Sequence, residues 1–434
     1  MVTSMPDLDR SDTPQAVNRF GHPLDPAVGY ARGPIISSSL EEAKRRNYAM
    51  RLIRKRADAR GHGAFYNFSG HRRDFLVPPD KIGWGEEWVG PAFFWNELVE
   101  LAREHFGGTA EHEVAVFNRC SAGNVSTCLA LAKPGSSVLS VVPANRSHPS
   151  IGRGAKLAGA RLLQTNNLRG AQRYLTGHDL SLVVITAVSS ELHIMDQDLL
   201  LQVVALAKSK GVPTLMDDAY GARLRPIIFG GLRTLDTGVD VGVTACDKAG
   251  MGGPRAGLMV GRADLVTRIA AKSTELGLEA RPPLALGVWA SLGQFDPSHL
   301  RREVELGLEI YDRLCERYGP KRVVRSALGA SLPAEDVYEM VADASPNGGG
   351  PLPIVPAEVT AGVGLHWLER YGIISTNALG GPGASIWLRF KPVPSEVERF
   401  GGIAALLKAA EAGLDYVAQR AHSISEMRRL VLGE

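Results

Sequence analysis

T-L-M-D-D-A-Y-G-A-R (Thr214 to Arg223) and V-T-A-C-D-K-A-G-M-G-G-P-R-A-G-L-M-V-G (Val243 to Gly261) decide how this chain reads. The first is a short apolar run that ends in an acid, Asp217, followed at once by a second acid, Asp218. The other is an alternating, β-rich run that delivers Lys248 onto a glycine-rich turn and then resumes as an apolar strand. Upstream, strands and helices alternate. V-A-V-F (Val114 to Phe117) reads as a strand, Ala122 to Lys133 as a helix stopped by Pro134-Gly135, and S-V-L-S-V-V-P as a strand. The helix I-G-R-G-A-K-L-A and the strands R-L-L-Q-T and S-L-V-V-I-T-A-V (Ser181 to Val188) follow. A helix capped by Asp196 and closed at Gly211 leads into the strand Pro213 to Met216. Strands rich in Val, Leu and Ile, without polar alternation, predict a mostly parallel sheet covered on both faces, an α/β fold. Ligands on such sheets sit at the carboxyl ends of strands, where both Asp217 and Lys248 fall.

An acid at one strand end and a lysine at a later one are what pyridoxal phosphate requires. The carboxylate keeps the pyridine nitrogen protonated and the amine carries the cofactor as a Schiff base. Arginine outnumbers lysine 37 to 12, so few lysines compete with Lys248. Burial near another cation would keep such an amine deprotonated and nucleophilic. Asp217 shares a strand face with Leu215, which favours it over Asp218 as the partner of the ring nitrogen. Asp218 would make supporting hydrogen bonds. Ser121, Ala122 and Gly123 stand where a strand gives way to a helix, and free N–H groups there suit a phosphate. A plain N-cap serine is the ordinary alternative. Arg119 would add charge to that site or point outward.

Five pieces carry a resemblance: N-R-C-S-A-G (Asn118 to Gly123), R-S-H-P-S-I (Arg146 to Ile151), D-D-A-Y-G-A-R, D-K-A-G-M-G-G-P-R-A-G and G-L-E-A-R-P-P (Gly277 to Pro283). In this order they resemble the fold type I family of pyridoxal phosphate enzymes. Within it they are similar to the bacterial L-seryl-tRNA(Sec) selenium transferases and their archaeal relatives. The resemblance implies an aspartate aminotransferase-like large domain with a smaller α+β domain behind it, and it also places the ring-nitrogen acid first in the D-x-A-[HY] run. It implies that His148 stacks on the cofactor ring, although a helix-start histidine before Pro149 is the plain alternative. Arg389, in S-I-W-L-R-F, would present a guanidinium to a substrate α-carboxylate, and Ser189, Ser190 and His193 would meet the phenolic oxygen. Tyr66, Asn67 or Arg72, in an aromatic loop, would reach a neighbouring subunit's site, with a plain surface loop as the alternative. The chain departs from the pattern in three ways. Ala245 and Cys246 stand where relatives carry hydroxyls, leaving Thr244 as the nearest cofactor-binding hydroxyl. Arg281 stands where the transferases tend to have glutamine, and no dedicated tRNA-binding domain is visible.

A net charge of +3 on 434 residues does not by itself argue for nucleic acid. Four cysteines without C-x-x-C or zinc spacing predict a reducing compartment and no metal. The start lacks an apolar leader and no run approaches a membrane span, so a cytoplasmic protein is expected. Three regions are predicted: residues 1–70 as an N-terminal arm and basic helix, 71–295 as the cofactor-binding large domain, and 296–434 as the small domain. The first 38 residues are polar and proline-punctuated. The helix beginning with Ser39 as N-cap carries eight basic side chains between Lys44 and Arg60 against one acid, Asp58. It reads either as a solvated helix packing Tyr48, Leu52 and Ile53, or as an RNA- or phosphate-binding face. Further on, Leu284 to Phe295, Leu300 to Tyr318 and Glu396 to Arg420 read as helices.

The expected function is a homodimeric or larger pyridoxal phosphate enzyme that forms a Cα carbanion on a small free amino acid, with Lys248 as acid and base. A lyase or transferase of the elimination or replacement type comes first. An O2-using monooxygenase or oxidative decarboxylase and a selenium-transferase-like enzyme acting on seryl-tRNA are the alternatives.

Overall fold

Ser38, in extended backbone, accepts the Leu40 N–H through its hydroxyl and so starts α1 (Ser39–Arg60). The N-cap is therefore Ser38 and not Ser39, which is already helical. The structure, a computed structural model, describes residues 16–434 apart from Asn145, Asn347 and Pro392. The first fifteen of the residues read as a polar arm thus lie outside the described residues. The chain divides into two compact units. One runs over His71–Arg301, and the other joins the described residues up to Gly70 with Arg302–Glu434. The described part of the N-terminal region, assigned a segment of its own in the sequence, thus belongs to the second unit. The reason is burial: Ala49 and Leu52 of α1 share a core with Val359, Trp367 and Leu430. The Glu358 carboxylate also accepts the backbone N–H groups of Ile35 and Ile36, each at 2.7 Å.

In the first unit, α2 (Trp95–Phe106) precedes β1 (His112–Phe117), α3 (Cys120–Leu131), β2 (Ser137–Val141), α4 (Pro149–Leu157) and β3 (Arg161–Thr165). There follow α5 (Leu168–Gly177), β4 (Leu180–Thr186), α6 (Gln197–Ser209), β5 (Thr214–Asp217), α7 (Gly221–Ile228), β6 (Val241–Ala245) and β7 (Gly257–Arg262). The seven strands lie in the order β1-β7-β6-β5-β4-β2-β3. All neighbours are parallel except β7, which is antiparallel to both β1 and β6. Along β4, Val183 and Ile185 enter one core while Leu182 and Val184 enter the other. Both faces are dry, which is why the strand sequences lack polar alternation. Asp196 caps α6 by accepting the Leu199 N–H at 2.9 Å.

Beyond β7 come α8 (Ala263–Glu275), α9 (Pro282–Gly293) and α10 (Pro297–Tyr318), which carries the chain into the second unit. That unit holds a three-stranded antiparallel sheet of β8 (Val324–Ser326), β9 (Gly329–Leu332) and β10 (Leu388–Phe390). Around it stand α11 (Ala334–Asp343), α12 (Pro356–His366), α13 (Pro394–Phe400), α14 (Gly402–Ala418) and α15 (Ile424–Leu432). The single helix expected over 396–420 is broken in two. Gly401 and Gly402 adopt φ of 103° and 85°, which a helix cannot contain and glycine tolerates. Among the described residues no helix is long and apolar enough to cross a membrane.

Candidate active site

Five carboxyl ends, those of β1, β2, β4, β5 and β6, open on the same edge of the large sheet. There they border a cavity within the first unit. Lys248, Asp217, His148 and Ser121 all line it. Residues read separately along the sequence are thus brought together by one sheet edge.

Lys248 follows the end of β6 in a turn. Its neighbour Ala249 takes φ +51°, a left-handed conformation that costs a residue with a Cβ roughly 1–2 kcal/mol. The turn is held by Arg223, which is fully buried. The guanidinium donates to the carbonyls of Ala245 (2.7 Å) and Lys248 (3.1 Å), to Thr244 Oγ1 (3.2 Å), and meets His105 Nε2 at 3.1 Å. Lys248 Nζ then lies 4.4 Å from the centroid of the buried Tyr220 ring. Gly257, the last glycine of the motif, has a separate reason. A Cβ there would sit 2.7 Å from Cys120 Cα, so only glycine lets α3 begin over β7.

The two adjacent acids have different surroundings. Asp217 stands in the cavity wall, where Asn124 Nδ2 donates to it at 2.9 Å and the Cys120 thiol lies at 3.8 Å. Burial pushes its pKa up, opposed by the Asn124 hydrogen bond and by nearby Lys248. Asp218 points away from the cavity. It is ion-paired with the buried Arg225 and accepts from Thr234 Oγ1 at 2.7 Å.

His148 caps α4. Its Nδ1 accepts the Ser150 N–H at 3.2 Å and lies 2.7 Å from Ser150 Oγ, which in turn receives Asn124 Nδ2 at 3.1 Å. With Nδ1 an acceptor, the hydrogen-bond pattern assigns the proton to Nε2. Burial, reinforced by Lys248 and by Arg146, Arg119 and Arg153, lowers its pKa to about 3, so the ring is neutral near pH 7. A continuous polar chain thus runs from Asp217 through Asn124 and Ser150 to His148.

The helix α3 starts at Cys120 with Arg119 as N-cap, so Ser121 lies inside the first turn and does not cap it. The amides of Ala122 and Gly123 return to the Arg119 carbonyl at 2.9 and 3.3 Å. That leaves the first amides, at Cys120 and Ser121, to face a ligand. Thr244 differs most from expectation. Its hydroxyl is fully buried, donates to the Asp218 carbonyl at 2.9 Å and does not line the cavity. Strand alternation turns it toward Arg223 instead. Ser189 and Ser190 line the cavity, while His193 closes a tight turn by donating its N–H to Ser189 Oγ at 3.2 Å. Arg72 pairs with Asp74, and Tyr66 and Asn67 sit in the second unit against Ile373 and Ile374. Arg389 also lies in the second unit, on β10, its Nε buried and without a partner among the described residues.

Four residues escaped the sequence reading. Asn124 and Cys120 are one helical turn apart, a spacing that was legible. Arg223 closes a quoted motif as a cation in an apolar run. Thr186, opposite Asp217 in the β4–β5 register, carries a buried hydroxyl with no partner among the described residues.

Solved structures share this architecture. A chain from a SepCysS–SepCysE N-terminal domain complex superposes with a TM-score of 0.56 at 14% identity, over 84% of this chain and 99% of that one. Aspartate aminotransferase from Thermotoga maritima gives 0.53 at 16%, over 88% and 98%. A model of the aminotransferase class I and II family matches residues 87–278. The fold is therefore that of the fold type I, aspartate aminotransferase-like enzymes. In sequence, the chain is 33% identical over 399 residues to the UPF0425 pyridoxal phosphate-dependent protein of Methanothermobacter thermautotrophicus, covering 92% of this chain and all of that protein. The chain belongs to this UPF0425 family of pyridoxal phosphate-dependent proteins.

Proposed function

We propose that the chain is a lyase or transferase of the elimination or replacement type, acting on a small free amino acid. The observation that carries this reading is the meeting of one amine, one buried carboxylate, one neutral imidazole and one helix N-terminus in a single cavity. This donor set fits pyridoxal phosphate. The Asp217 charge is met by a neutral amide and a thiol, and no guanidinium is paired with it among the described residues, so the carboxylate suits a cationic N–H.

Pyridoxal phosphate supplies an electron sink that lets a bond at an amino acid's Cα break heterolytically. Lys248 Nζ would hold it and, when released, move the proton at the substrate Cα. Asp217 would accept the hydrogen bond of the pyridine N–H and keep that proton in place. The His148 ring would cover one face and exclude water, its Nε2–H directed by Ser150. The first amides of α3 and the Ser121 hydroxyl would bind phosphate oxygens. We assign α-carboxylate recognition to Arg389 on the resemblance to fold type I enzymes, because a planar fork suits that group.

We also infer a homodimer or larger assembly in the cytoplasm. Leu76, Ile82, Trp88, Val89 and Phe93 are exposed within one short segment, Trp88 to 88%, an apolar surface suited to a second copy.

The test is a spectral screen of the purified protein against free amino acids and their methyl esters, with product analysis. An active free acid should perturb the cofactor absorbance far more strongly than its ester. The carboxylate–guanidinium pair is worth a few kcal/mol, or roughly a hundredfold. Equal responses to acid and ester would remove Arg389 and the free-amino-acid reading together.

A further inference from the structure

The second unit contains a hollow of about 370 Å³ beside the C-terminal half of α1. This is within the size range of small-molecule sites. From α1 come Lys55, Arg56 and Arg60, and from the opposite wall come His366, Arg370 and Tyr416. We propose that this hollow binds a small phosphate-bearing anion with at least two negative charges.

Its floor is built into the fold. Arg56 donates to the carbonyls of Ala64 (2.8 Å), Glu369 and Arg370 (3.2 Å each), stapling α1 to the turn over residues 367–371. That turn is π-helical, a geometry that occurs mostly as isolated turns and often at functional sites. It turns the Glu369 and Arg370 side chains outward into the hollow.

The charges on the rim are unbalanced. Lys55, Arg60 and Arg370 are exposed and make no ion pair among the described residues, and Glu369 is the single carboxylate in the lining. Arg54 on the same helix is by contrast matched by Asp58 at 2.9 Å. Guanidinium forks and an ammonium that face one concavity match phosphate oxygens better than they match water.

His366 is the second, independent observation. It is only 9% exposed, lines the hollow, and makes no hydrogen bond among the described residues. Burial, with Arg420 and Arg370 nearby, holds its pKa at about 4, so near pH 7 it offers a neutral N–H. A ring that borders the hollow and has no hydrogen-bond partner of its own among the described residues leaves a nitrogen available to a ligand.

The ligand is a small anion and not a nucleic acid strand. The Tyr416 ring is covered on one face by His366, at 4.1 Å between centroids, and on the other by the Arg420 guanidinium at 3.6 Å. No open aromatic face remains in this lining on which a base would stack.

Isothermal titration of the cofactor-loaded protein with inorganic pyrophosphate tests the proposal. One saturable site per chain is expected. Arg60→Gln with Arg370→Gln should weaken binding by on the order of tenfold or more, with an unchanged melting temperature. His366→Asn should weaken it by a smaller factor, and Arg54→Gln should leave it as it was. The proposal is overturned by an absence of saturable binding, or by binding indifferent to the double substitution. It is also overturned if an RNA hairpin binds the hollow more tightly, with a steep salt dependence.

Discussion

In the cavity around Lys248, the carboxylate of Asp217 is taken out of water and answered by a neutral amide. In the hollow beside α1, Lys55, Arg60 and Arg370 stand in solvent with Glu369 as the one carboxylate in the lining and no ion pair among the described residues. The first arrangement makes each group's protonation depend on its neighbours, because desolvation magnifies every local charge and hydrogen bond. The second gives each cation a screened charge that costs little and stabilises little. Substitutions in the cavity should therefore change chemistry by orders of magnitude. Those around the hollow should change anion binding and leave the fold alone.

The largest expected effect is at Lys248. Borohydride reduction and peptide mapping should place the pyridoxyl group on Lys248, and Lys248→Ala should lose the visible absorbance and essentially all turnover. A label on Lys272 or another lysine would move the site elsewhere.

The adjacent acids come next, since they share a sequence motif but not an environment. Asp217→Asn should retain the fold and reduce turnover by on the order of 10²-fold, the scale of losing a key electrostatic group. Asp218→Asn should instead leave Arg225 buried without its partner and cost about 3–5 kcal/mol of stability in denaturant melts. The reverse pattern would exchange their roles.

A smaller effect concerns His105, whose pKa burial and Arg223 hold at about 3 against an ordinary 6.5. The unfolded imidazole takes up a proton near 6.5 and the folded one only near 3. Its contribution to stability is thus complete above pH 6.5 and is lost as pH falls from about 6.5 to about 3. His105→Gln should flatten the melting-temperature profile across that window, by ~2 kcal/mol of stability near pH 5. An unaltered profile would show that His105 is not held neutral by Arg223.

The smallest effect is expected on α1. Arg54→Ala, which breaks a solvent-exposed i,i+4 pair with Asp58, should change stability by no more than about 0.5 kcal/mol. A larger loss would mean that the exposed face of α1 is structural and would blur the contrast between the two regions.

The sequence by itself determined the alternation of apolar strands with helices, and hence the parallel sheet. It also determined the two strand ends that carry Asp217 and Lys248. These are local signals, since periodicity and turn residues act over a few positions. Helix ends were legible to within a few residues, and Asp196 as a cap was read directly. Only the tertiary structure decided which side chains meet. Strand alternation turned Thr244 inward to Arg223 and the Asp218 carbonyl, and a second acid beside Asp217 was claimed by Arg225. Asn124 and Thr186 come to the cavity from a helix and a strand end far apart in the chain, and Ser150, at a helix start, holds Asn124 and His148 from behind. The basic helix was plain in the sequence as eight cations and one acid. That three of those cations border a hollow, across from a buried imidazole, depends on the π-helical turn at 367–371 folding against α1. Hydrogen-bond partners and desolvation are properties of distance in space, which one-dimensional spacing does not encode.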